Sequence, residues 1–93
     1  MPEVTTQIMC TQDGDVEYFT TYRNEYGNGF DLTVSTPLDG MVDVVIYQSI
    51  AHTLPEEPSC TLTLPIAAAS AMVNALYSGT RDAAERERLK KMN

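Results

Sequence analysis

Phe30-Asp31-Leu32-Thr33-Val34-Ser35-Thr36 decides how this chain folds. Phe30, Leu32 and Val34 alternate with Asp31, Thr33 and Ser35, so a strand over residues 30–36 has one dry face and one wet face. Pro37-Leu38-Asp39-Gly40 follows as a turn. The pattern then repeats over 41–50, with Val42, Val44, Ile46 and Ile50 on one side and Asp43, Val45, Tyr47 and Ser49 on the other. Upstream, strands over 5–11 and 16–23 flank Asp13-Gly14, a pair that supplies the positive backbone angles of a tight hairpin. Gly27-Asn28-Gly29 turns the chain once more. Downstream, 51–59 reads as an exposed loop, with Pro55 and Pro58 flanking Glu56-Glu57, and a short strand over 60–64 points Cys60, Leu62 and Leu64 the same way.

Pro65 then sits where a helix can start without losing a needed donor. Ile66, Ala69, Val73, Leu76 and Tyr77 recur at helical spacing beside Met72, and this face is expected to cover the sheet. Ala68, Ala71 and Ala75 form a second, smooth side suited to a close neighbour. Gly79 reads as a C-cap, and Thr80 as the cap of a further, solvated stretch over 81–91. The expected fold is therefore α+β: an antiparallel four- to five-stranded meander, a helix over 65–78 packed on one face, and a short C-terminal helical stretch, all in a single domain over 1–93. One short helix cannot cover both faces. The second face, with Asp31, Thr33, Ser35, Asp43, Val45 and Tyr47, is expected to meet solvent or a partner. Alternation alone leaves open which face takes Tyr18 and Tyr22.

A chain of 93 residues has room for one core, and its hydrophobic fraction of 43% and charged fraction of 20% are those of a folded protein. The net charge of −7 is unevenly spread. Residues 1–65 hold ten acids against one base, Arg23, a net −9, whereas 66–93 hold three acids against five bases, a net +2. Such a field repels nucleic acid and anionic membranes and favours a basic partner. The N-terminus lacks the basic start and apolar run of a secretory signal, and no stretch approaches the length of a membrane span, so the cytosol is the expected compartment. There Cys10 and Cys60 are expected to be reduced and buried, pairing only if the first and last strands are neighbours.

No motif announces catalysis. Asp13-Gly14-Asp15-Val16-Glu17 fails as a calcium loop, since the sixth-position Gly and the bidentate Glu are missing. Gly27-Asn28-Gly29 has no following helix and is no phosphate cradle. A zinc site would need Cys10, Cys60 and a carboxylate to converge on His52, and the spacing shows no paired ligands. No metal, no cofactor and no enzymatic activity are expected. Tyr18, Tyr22, Tyr26, Tyr47 and Tyr77 are more telling, because tyrosine is enriched at binding surfaces and suits an Arg- and Lys-rich partner when set among carboxylates.

In size, acidity and layout the chain resembles the small inhibitors that phages make against bacterial defence, anti-CRISPR proteins in particular. The resemblance rests on those general properties rather than on a motif, so it transfers no site residues. It implies a stoichiometric inhibitor that occupies the basic nucleic-acid channel of its target, working in the cytoplasm of the bacterial host. Carboxylates would stand in for phosphates there, and Tyr rings for stacked bases. The expected contact set is Glu17, Asp31, Asp43 and Tyr47 with the loop acids Glu56 and Glu57. The expected partner is a protein with a basic nucleic-acid-binding surface, with no direct contact to nucleic acid or membrane. A toxin-immunity protein would use the same physics. A dimeric structural or assembly protein is the alternative of a different class, supported by Ala68, Ala71 and Ala75 and by the open sheet face.

Overall fold

Alternating apolar and polar residues build five antiparallel strands and one helix in a computed structural model that describes residues 2–10 and 16–92. The strands are β1 (Glu3–Cys10), β2 (Val16–Arg23), β3 (Gly29–Ser35), β4 (Met41–Ser49) and β5 (Cys60–Pro65). They lie side by side in chain order, each hydrogen-bonded to its sequence neighbour, which is the expected α+β meander. The Asp13-Gly14 turn lies outside the described residues.

Directly opposed residues share a face of a sheet. Ile8 opposes Tyr18, Tyr18 opposes Val34, Val34 opposes Val44, and Val44 opposes Leu62, so an apolar row crosses all five strands. Val4, Tyr22 and Phe30 form a parallel row, in which the Tyr22 and Phe30 rings stack at 6.0 Å. The helix lies on this inner side, beside Val42. Tyr18 and Tyr22 are thereby placed on the helix side, and Glu17 and Phe19 on the other.

The helix, α1 (Ile66–Lys91), is continuous over 26 residues rather than two stretches divided at Gly79. Gly79 does not take the left-handed backbone of a C-cap; among the described residues the glycines with positive φ are Gly27 and Gly40. The Thr80 hydroxyl donates back to the Leu76 carbonyl at 2.7 Å instead of capping a new helix. Arg86–Asp82 and Lys91–Glu87 pairs, each at 3.2 Å, tie the last turns together. The Arg88 guanidinium also holds the Glu85 carboxyl below its ordinary value. Arg88, Lys90 and Lys91 in the last turn suit the negative end of the helix dipole.

The apolar stripe of α1 is on the expected side but covers little. Ile66, Val73 and Tyr77 are each 63% exposed and Leu76 is 66% exposed. Among the described residues Val44 is the one buried hydrophobic side chain. The helix packs chiefly on β5 and β4, because it begins in the residue after β5 ends and leaves the sheet from that edge. β1 and β5 are opposite edges, so the adjacency that a Cys10–Cys60 disulfide requires is absent. Cys60 is free and exposed, not buried.

Candidate functional site

The outer face of the sheet carries the acids. Glu17, Ser35, Asp43 and Thr63 oppose one another in one row across β2 to β5. Phe19, Thr33, Val45 and Thr61 make the next row, followed by Thr21, Asp31 and Tyr47. Glu17, Asp31, Asp43 and Tyr47 thus share the face turned away from α1. They form two groups. Glu17 and Asp43 lie toward the β3–β4 turn, whereas Asp31 and Tyr47 lie four residues further along, about 13 Å away at strand rise. Glu56 and Glu57 belong to the exposed loop after β4, beyond the Tyr47 end of the sheet.

The carboxylates differ in what compensates them. Arg23 Nη2 donates to Asp31 Oδ1 at 2.8 Å, with both side chains less than a fifth exposed. Arg23 Nη1 donates to the carbonyls of Tyr22 at 2.8 Å and Phe30 at 3.0 Å. The one base of residues 1–65 is therefore held in place, and Asp31 is neutralised by it. Asp43 is different: its Oδ1 is buried and accepts no hydrogen bond. Its cross-strand neighbours, Ser35 and Thr63, leave that oxygen unsatisfied.

At the Tyr47 end the β2–β3 loop is fastened to the chain leaving β4. Asn24 Oδ1 accepts from the backbone N–H of Tyr26 at 2.9 Å and of Asn28 at 3.0 Å, closing the loop on itself. The Gly27 carbonyl accepts from the His52 N–H at 2.9 Å and from the Ser49 hydroxyl at 2.9 Å. Asn28 Oδ1 accepts from Ala51 N–H at 2.8 Å. Ala51 and His52 have φ of 52° and 66°, the left-handed region that a hairpin turn usually fills with Asn-Gly. This clasp orders Tyr26, which is 70% exposed at the loop tip. A tyrosine inside a Gly- and Asn-rich turn was its signal in the sequence; the expected contact set omitted it.

His52 is committed to this clasp. Among the described residues no three His, Cys, Asp or Glu side chains are grouped so that they could hold a metal ion. No helix among them is long and apolar enough to cross a membrane. The chain matches no family model, no curated protein and no solved structure.

A second feature lies on the other side of the sheet. Between the inner face and α1 runs an open groove of about 1160 Å³, walled by Phe30, Leu32, Val34 and Ile46 below and by Val73 and Leu76 above. The helix lines it with Ala69 and Met72 as well. Of the alanine side expected to receive a neighbour, Ala68 is half-buried while Ala71 and Ala75 are exposed.

Proposed function

We propose that this protein is a non-catalytic inhibitor that binds a basic protein surface through the outer face of its sheet, in the manner of the anti-defence proteins of phages. The observation that carries this reading is the placement of Glu17, Asp43 and Tyr47 on one face turned from the helix, where the only base, Arg23, is already bound to Asp31. Carboxylates on a firm sheet present fixed negative charge. A nucleic-acid channel offers guanidinium and ammonium groups at similar spacing, and those groups steer an acidic protein into it. Tyr47 adds an apolar ring on which an arginine can stack. Tyr26, exposed at the loop tip beyond the Tyr47 end, offers a second ring. The class of target is a nuclease or guide-loaded complex of bacterial defence; a nuclease toxin would satisfy the same surface.

A competition assay tests this. The chain is titrated into purified bacterial-defence nucleases, each holding a labelled nucleic acid, and displacement of the label is read. The expected result is stoichiometric displacement from a target, weakened at least about tenfold by Glu17→Lys with Asp43→Lys and weakened further by added salt. Displacement that ignores both the double reversal and the salt would overturn the outer-face reading.

A further inference from the structure

We infer that the groove between the inner sheet face and α1 is filled by α1 of a second copy of this chain, each helix entering the other's groove in a two-fold dimer. Surface area gives the first reason. The chain exposes 7337 Å². A compact monomer of 10.3 kDa exposes about 5400 Å². The excess is about 2000 Å² per chain, so removing it from both copies buries about 4000 Å², within the range of obligate homodimers. The radius of gyration agrees: it is 15.8 Å, where a compact chain of this length has about 12 Å.

The exposed surface is of two complementary kinds. The sheet offers the half-buried Phe30, Leu32 and Val34 on the groove floor, and α1 offers Val73, Leu76 and Tyr77, each more than 60% exposed. One chain that carries both halves of an unmet contact satisfies the requirement of an isologous interface, in which each copy supplies what the other lacks. The chain's own helix is poorly placed to close the gap, because no linking residue separates Pro65 of β5 from Ile66 of α1. The groove also has the right size. Its 1160 Å³ equals the volume of about ten helical residues, taking a helix roughly 10 Å across and 1.5 Å per residue.

Sedimentation equilibrium and thermal unfolding test the inference without any variant. The expected mass is twice the 10.3 kDa of one chain. The unfolding midpoint is expected to fall by about 8 °C over a hundredfold dilution, as for a dimer that unfolds on dissociating. Leu76→Asp is then expected to weaken dimerisation at least about 100-fold, whereas Leu89→Asp, outside the groove, leaves it unchanged. In an isolated chain Leu76 is 66% exposed, so a true monomer would tolerate the change. A mass of one chain with a midpoint independent of concentration overturns the proposal. So does a dimer that Leu76→Asp leaves intact, which would place the interface on another surface.

Discussion

Arg23 and Asp31 are paired across β2 and β3 at 2.8 Å, on a diagonal of the outer face: Arg23 stands opposite Gly29, and Asp31 opposite Thr21. The guanidinium is seated by two backbone carbonyls as well as the carboxylate, so it is part of the sheet rather than a free surface charge. Arg23→Met removes all three contacts and leaves a largely buried carboxylate unpaired. The expected loss is about 2 kcal/mol in urea unfolding. Asp31→Asn keeps an oxygen acceptor for Nη2, and its expected loss is about 1 kcal/mol. Because Asp31 is already compensated, reversing its charge should weaken partner binding less than reversing Asp43. Equal effects on binding would show that the pair opens when the partner docks.

Gly27 is required twice over. Its φ is +78°, and a Cβ there would run into the His52 ring and backbone. Gly27→Ala is therefore expected to lower stability by about 1–3 kcal/mol. It should also release the clasp, with faster amide exchange at Ala51 and His52, whose N–H groups bond to Asn28 and Gly27. Unchanged exchange at those two amides would mean that the loops hold together by other contacts.

Gly79 behaves in the opposite sense. It lies inside a continuous helix, and an added Cβ there meets no atom within 4 Å. Gly79→Ala should raise stability by about 1 kcal/mol and increase helical ellipticity. A helix broken at a left-handed Gly79 would instead be destabilised by alanine. The sign of the change therefore decides between one helix and two.

The meander was readable because its alternation is strict where the strands are central. Phe30-Asp31-Leu32-Thr33-Val34 and Val42-Asp43-Val44 each assign every residue to a face, and the observed register keeps those assignments. The helix start was readable from Pro65. Its length was not, because Gly79-Thr80 spells a stop and a new cap, and only the back-bond of Thr80 to Leu76 and the later ion pairs show that the chain continues. Periodicity also told which side of α1 looks inward, yet it carries no information on distance, so the open groove was invisible. The Arg23–Asp31 bond depends on strand register, which residue types do not specify at Thr20-Thr21. That bond is what separates Asp31 from the other predicted acids.

Asp43 holds a buried oxygen with no donor, on the face assigned to the partner, toward its β3–β4 end. Such an acceptor weakens the fold by its lost hydration. Threonine at this position removes the orphan oxygen and suits a strand flanked by Ser35 and Thr63. Asp43→Thr is thus expected to raise stability by about 1 kcal/mol in urea unfolding while weakening target binding severalfold. Stability and binding would then move in opposite directions at one residue. If Asp43→Thr gains stability with no loss of binding, the carboxylate has no part in recognition, and Glu17 and Glu3 remain as the outer-face sheet acids to carry it.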